Sequence, residues 1–296
     1  MRPTSSSQKR RSPRGPQIGA RLIVASPHER NDARKGRKFH PKGGPKGAGH
    51  GRSERRPGGV SDDWLWGWHA VEAALANPRR GTPIRLVATP DRAKQIEAKF
   101  GRKVSPEIAD NHQIGLGLPQ GAVHQGVALR PAPLEDAELA DFEARPGAIV
   151  LVLDQVTDPQ NVGAILRSAA AFGVVGVVLQ DRHAPKLSGA LAKAAAGAVE
   201  QLRVAHVVNL SRALDELTKA GWRAVGLAGE ADRGLHEVLN GEPTVLVLGS
   251  EGEGLRRLVA EHCDELAKIP MPGGFESLNV SAAAAVALYE ASRPRR

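Results

Sequence analysis

The sequence predicts an α/β protein in which a parallel sheet is covered by helices on both faces, preceded by a smaller α/β module and a basic tail. Three observations lead there. From Ala148 onward, short runs of continuous apolar character alternate with helical segments, the pattern of strands buried on both faces. Between residues 62 and 130 a shorter alternation of the same kind occupies about 70 residues. Before it, charge and composition change abruptly. Residues 1–60 hold 16 Lys and Arg against Glu29, Asp32 and Glu54, a net of +13, whereas the rest carries 25 basic and 29 acidic side chains, a net of −4.

Residues 1–61, rich in Arg, Lys, Gly, Pro and Ser, bury too little apolar surface to offset their ordering entropy and are expected to be disordered. A flexible segment of that charge suits binding to a polyanion by counterion release. A tail that only aids solubility and an Arg- and Ser-rich organellar presequence stand as the alternatives. The module follows over 62–131. After Gly67 a helix carries Val71, Ala74 and Leu75 on one face and stops before Pro78. Ile84–Ala88 reads as a strand, Asp91–Phe100 as a helix and Gly121–Leu129 as a closing strand. Trp64, Trp66 and Trp68 alternate, which on a strand places all three on one side, to stack on bases or to enter the small core. His69 and His124 are candidates for RNA contact or for structural roles. Residues 132–147, acidic and bounded by prolines, read as an interdomain linker.

The main domain spans 148–296. Strands are expected at 148–156, 174–180, 203–208, 222–228, 244–249 and 265–270, with helices at 161–172, 188–201, 210–220, 255–263 and 279–292. In open parallel sheets ligands gather at the carboxyl ends of strands. Three segments leave such ends: Leu151 to Arg167, Leu246 to Arg257, and Ile269 to Ser281 with its Pro272-Gly273-Gly274 turn.

Several activities are unsupported. Gly249-Ser-Glu-Gly252-Glu-Gly254 has the wrong spacing for a dinucleotide fingerprint, and neither a Walker A sequence nor Gly-x-Ser-x-Gly nor His-Glu-x-x-His is present. Cys263 is the only cysteine, so no internal disulfide or thiolate zinc cluster can form. Glu261-His262-Cys263-Asp264-Glu265 spreads around a helix, as a surface patch beside a buried thiol. No metal is expected. No apolar run approaches the roughly 18 residues of a membrane helix, and no apolar stretch follows the basic N-terminus as in a secretory signal.

Taken together and in this order, the three segments resemble the three motifs of the SpoU (TrmH-like) RNA ribose 2′-O-methyltransferases of the SPOUT class, and the RlmB-like ribosomal branch fits best. Gly67-x-His69-Ala-Val and Ala122-Val-His124-Gln125-Gly126 are similar to the substrate-binding domain of that branch. The resemblance implies a SPOUT-type sheet closed by a deep trefoil knot, and S-adenosylmethionine as cofactor. It implies cofactor contacts at Gly249, Ile269 and Leu278, with Ser250, Gly252 and Met271 in the same pocket, and functional positions at Asn161, Arg167, Glu251, Ser277 and Asn279. Read physically, Asn161 and Asn279 each open a helix and so also suit N-caps. Arg167 suits a phosphate, and its permanently protonated guanidinium suits positioning better than general base catalysis. Glu251 is expected to orient Arg167 or the ribose. The expected activity is 2′-O-methylation of a guanosine ribose in 23S ribosomal RNA by a cytoplasmic homodimer with its active sites near the subunit interface. A tRNA ribose methyltransferase and a catalytically silent RNA-binding assembly factor are the alternatives.

Overall fold

The structure, a computed structural model, describes residues 63–102, 104–182, 184–187, 189–273 and 277–293, so the expectations for residues 1–61 lie outside the described residues. The first part runs β1 (Leu65–Trp66), α1 (Trp68–Ala76), β2 (Arg85–Ala88), α2 (Pro90–Phe100), β3 (Glu107–Ile108), α3 (Asn111–Leu116) and β4 (Val127–Arg130). Its strands form one sheet in the order β1-β4-β2-β3, antiparallel except for the β2–β3 pair. The closing strand begins at Val127, because Gln125 and Gly126 adopt positive φ (55° and 77°) and turn the chain before it. Neither β3 nor α3 was anticipated. The signal for α3 was a capping box: Asp110 accepts the Gln113 N–H at 2.8 Å while the Gln113 side chain accepts the Asp110 N–H at 3.1 Å.

The tryptophans do not share one face. The strand ends at Trp66 and Trp68 already starts α1, so the period-2 alternation is broken. Trp66 is buried with Trp64 against Ile114 and Leu118. Trp68 packs on the opposite core, around Leu65, Val71 and Ile96, with the Arg92 guanidinium 4.8 Å from its ring centre.

The second part runs from a 3₁₀ turn at Leu139–Asp141 through β5 (Ile149–Leu153), α4 (Pro159–Ala171), β6 (Gly176–Gln180), α5 (Gly189–Ala194), β7 (Val204–Val207), α6 (Leu210–Lys219), β8 (Arg223–Leu227), α7 (Leu235–Val238), β9 (Thr244–Leu248), α8 (Arg257–Glu261), β10 (Glu265–Ala267) and α9 (Val280–Ser292). All six strands are parallel, in the order β10-β8-β9-β5-β6-β7. Alternate side chains of β5 serve two cores. Ile149, Leu151 and Leu153 pack with Val162, Ile165 and Leu166 of α4 and Ala284, Ala287 and Leu288 of α9. Val150 and Val152 pack with Leu210, Leu214 and Leu217 of α6 and Val259 of α8. Burial of each such aliphatic side chain contributes about 1.5–3 kcal/mol, which explains why β5 reads as an unbroken apolar run.

The expected strands are found one to four residues shorter, and the helices differ more. The helix expected over 188–201 ends at Ala194 because Ala196 and Gly197 take positive φ (49° and 88°), and a 3₁₀ turn at Ala198–Glu200 follows. The short α7 carried too little periodicity to be foreseen.

The segment read as a linker is docked on the sheet. Phe142 is buried, its ring occupying the space where a Cβ on Gly176 would fall at 2.4 Å, and the Ala137 N–H donates to the Val204 carbonyl at 2.8 Å. Beside it, Glu200 accepts from Asn77 Nδ2 at 2.7 Å and from Arg80 Nη2 at 2.7 Å, both carboxylate and guanidinium nearly buried at 5% and 7% exposure. A buried pair of this kind is tolerated only when its remaining hydrogen bonds are met, and it ties the first sheet's connecting segment to the second part. No helix among the described residues is long and apolar enough to cross a membrane.

Candidate active site

The strand order turns at β5, which has β6 on one side and β9 on the other. That reversal opens a crevice at the carboxyl ends of the strands, and the loops after β5, β9 and β10 enter it.

The β5 loop leads into α4, whose N-cap is Asp158: its carboxylate accepts the N–H groups of Gln160 (3.4 Å) and Asn161 (3.0 Å). Asn161 is therefore not the cap, contrary to expectation. The helix starts two residues earlier, at Pro159, where proline is favoured, and the Asn161 carboxamide is released for other work. Its Nδ2 donates to Glu251 Oε1 at 3.1 Å. Gly163, two residues on, lies where α4 meets α5: a Cβ there would fall 2.5 Å from Ala194 Cβ and 2.7 Å from the Leu191 carbonyl.

The β9 loop is a tight hairpin. Ser250 and Gly254 exchange N–H···O bonds at 3.1 Å in both directions, and Gly252 and Gly254 supply positive φ (88° and 68°). A side chain on Gly249 is excluded, since its Cβ would sit 2.1 Å from the Gly254 carbonyl carbon. This hairpin presents Glu251.

The β10 loop returns to α9, capped by Asn279, whose Oδ1 accepts from Ser281 N (3.0 Å) and Ala282 N (3.4 Å). Here capping and site roles coexist. Asn279 Nδ2 donates to Glu251 Oε1 at 2.6 Å and to Asn161 Oδ1 at 3.0 Å, and the Val280 N–H adds a third bond to Glu251 Oε1 at 3.2 Å. One residue from each of the three loops thus meets at a single carboxylate. The positive end of α9 favours that charge.

Not every expected residue joins this cluster. Arg167 is exposed and makes no hydrogen bond or ion pair among the described residues. Six residues separate it from Asn161, about 240° around the helix axis, and within one chain Glu251 bonds Asn161, Asn279 and the Val280 N–H rather than Arg167. Ser277 is exposed on the approach to α9.

Of the residues expected to hold the cofactor, Ile269 and Met271 are half-buried on the segment leaving β10, and Leu278 is 41% exposed. Leu278 is therefore no core residue. Leu278 adjoins Asn279, which bonds Glu251 in the β9 hairpin, so its exposed apolar side chain offers a surface for an adenine or thioether chain and the turning backbone of that hairpin offers main-chain groups for polar edges; the residues present fit S-adenosylmethionine.

His124 and Cys263 have local hydrogen-bond partners. His124 Nδ1 accepts the Gly126 N–H at 3.2 Å, and burial holds its pKa below the usual value. His69 is exposed on α1. Cys263 donates to the Val259 carbonyl, and burial, followed by nearby Asp264 and Asp154, pushes its thiol up to about 12, which leaves little thiolate at neutral pH.

Residues 148–289 match the model of the SpoU rRNA Methylase family. The chain is 43% identical over 242 residues to the 23S rRNA (guanosine-2′-O-)-methyltransferase RlmB of Xanthomonas campestris pv. campestris, covering 79% of this chain and 97% of that one. It is 40% identical over 243 residues to an uncharacterised tRNA/rRNA methyltransferase of Synechocystis, covering 79% of this chain and 63% of the relative. The fold is similar to that of an AdoMet-bound rRNA methyltransferase from Sinorhizobium meliloti, with a TM-score of 0.66 and 25% identity over 77% of this chain and 85% of that one. With a relative 43% identical and matched over 97% of its length, the chain belongs to the SpoU rRNA methylase family.

Proposed function

We propose that this protein is an S-adenosylmethionine-dependent RNA methyltransferase that modifies the 2′-hydroxyl of a guanosine in 23S ribosomal RNA. The observation that carries the reading is the meeting of Asn161, Glu251 and Asn279, drawn from three separate strand ends, beside an exposed Leu278 and a glycine-bound hairpin. The RlmB relatives support the substrate.

When bound, S-adenosylmethionine supplies a methyl group on a sulfonium that is open to in-line displacement. The protein's task is to align the ribose hydroxyl with it and to ease loss of the hydroxyl proton. In this reading Asn161, Asn279 and the Val280 N–H hold Glu251 in one rotamer, so its carboxylate stays fixed beside the bound nucleoside. Ser277, two residues before Asn279, contributes a hydroxyl at the same rim. Gly249, Ser250, Gly252, Ile269, Met271 and Leu278 bind the cofactor. Arg167 anchors a flanking phosphate through its planar fork and orients the nucleophile. Because Arg167 bonds none of the cluster in its own chain, the reading includes a homodimer in which a second copy completes the site. It places the enzyme in the cytoplasm with its RNA, and no metal takes part.

The test is to map ribose 2′-O-methyls in rRNA and tRNA from cells with and without the gene. A guanosine site lost from 23S rRNA is expected. A site lost from tRNA with rRNA unchanged overturns the substrate. Absence of S-adenosylmethionine binding in calorimetry overturns the enzymatic reading and leaves an RNA-binding factor.

A further inference from the structure

We infer that Asp154 and Arg256 form a strut that sets the β9 hairpin, and that both are positioning residues for cofactor binding. The inference rests on the methyltransferase reading above. Asp154 directly follows β5 and is fully buried, with 0% of its side chain exposed. Its N–H donates to the Leu248 carbonyl at 2.7 Å, extending the β5–β9 ladder by one residue, so its backbone moves only with the core of the sheet.

Its carboxylate spends both oxygens on one residue. Oδ2 accepts the Arg256 backbone N–H at 2.9 Å and Oδ1 accepts Arg256 Nε at 2.7 Å. Arg256 Nη2 goes on to Gln180 Oε1 at 3.0 Å, at the end of β6. The hairpin from Gly249 to Arg256 is thereby pinned at both ends. It leaves β9 at Gly249, and Asp154 and Gln180 hold its far end against the two strands beyond. Between the pins lie Glu251 and the proposed cofactor contacts Gly249, Ser250 and Gly252.

An isolated buried carboxylate is strongly disfavoured, and an apolar residue would fill that space more cheaply unless the charge has a task. The two-point grip on main chain and guanidinium of the same residue specifies a hairpin position, which a single contact cannot. A shift of about 1 Å in such a loop is enough to lose much of the alignment it provides.

The test uses the full chain with Arg256→Gln, Arg256→Lys and Asp154→Asn, read by thermal unfolding, S-adenosylmethionine calorimetry and steady-state kinetics. Arg256→Gln is expected to weaken S-adenosylmethionine binding by about tenfold or more, the scale of one lost charge-assisted hydrogen bond, with KM for RNA unchanged. Arg256→Lys, which keeps the charge but cannot bridge Asp154 and Gln180 with a planar fork, should recover only part of that loss. Asp154→Asn should match Arg256→Gln, and the double variant should be no worse than either, because the pair acts as a unit. If Asp154→Asn does not fold, Arg256→Gln still decides, since its guanidinium side chain is 38% exposed. A folded Arg256→Gln protein whose affinity for S-adenosylmethionine stays within twofold of the natural chain overturns the inference. Failure of the natural chain itself to bind S-adenosylmethionine overturns the functional reading instead.

Discussion

Replacing Gly249 by alanine adds a single methyl group where the chain has no room for one. The new Cβ would lie 2.1 Å from the Gly254 carbonyl carbon, 2.2 Å from its oxygen and 2.4 Å from the Leu255 nitrogen, whereas ordinary contact begins at 3.4 Å. All three neighbours are backbone, so no rotamer change relieves the clash. The hairpin must open by about 1.3 Å, the difference between 3.4 and 2.1 Å. Overpacking of this kind costs roughly 1–3 kcal/mol. At about 2–4 °C per kcal/mol for a folded unit of this size, the thermal midpoint should fall by roughly 2–12 °C. The larger effect is on the site. Opening the hairpin carries Glu251 away from Asn161, Asn279 and the Val280 N–H, three bonds of 2.6 to 3.2 Å. A displacement of that size is worth on the order of 100-fold in a step that depends on alignment. Calorimetry should show weakened S-adenosylmethionine binding, and single-turnover methyl transfer at saturating cofactor should slow by about that factor. A folded Gly249→Ala protein with unaltered affinity and rate would refute the argument that the glycine is required by closure of the β9 hairpin.

Three further outcomes are expected. Arg167→Ala should lower methyl transfer by orders of magnitude while cofactor affinity holds, and Arg167→Lys should rescue little, because a point charge does not replace a planar fork; near-normal turnover in the Ala variant removes Arg167 from the mechanism. Deleting residues 1–60, which carry a net +13, should weaken RNA binding irrespective of sequence and flatten its salt dependence, at a slope of roughly −0.7 per phosphate contact on single strands, while the methylated nucleotide stays the same. Redirection to other nucleotides at unchanged affinity would make the tail a specificity element. Finally, burial lowers the His124 pKa below its ordinary 6.5, so the unfolded chain binds this proton more readily than the native one. The stability tied to neutral His124 is complete above that ordinary value and is lost as pH falls from it through the lower native value, and unfolding midpoints of His124→Gln should show a shallower decline on acidification; an identical pH profile would count against the assignment.

The sequence alone determined the sheet. Runs such as Ile149–Leu153 and Thr244–Leu248 are apolar at every position or nearly so because both faces are covered, and that information is local. It also located the three site loops, since each leaves a strand end, and the family resemblance named residues within them. Element ends were less legible. The start of α4 was misplaced because Asn161 and Asp158 are both good caps, and only the path of the chain decides which one turns back on the helix. The helix expected over 188–201 was cut by left-handed geometry at Ala196, an alanine that carries no local signal for it. The docking of residues 132–147 was invisible for a similar reason, because the pocket for Phe142 is an absence, the missing side chain of Gly176.

What only the tertiary structure decided is which polar groups meet. Asn161, Glu251 and Asn279 are up to 118 residues apart, and nothing in their spacing says that one carboxylate oxygen receives them all while Arg167, only six residues from Asn161, stands apart. Asp154 is the plainest case. As a letter after Leu153 it is a polar residue ending a strand, and only the parallel pairing of β5 with β9 and β6 sets its buried carboxylate against Arg256. Hydrophobic periodicity is written along the chain because burial repeats with local geometry. Directed contacts between distant side chains are not, because they depend on strand order, and strand order is set by the packing of the whole sheet.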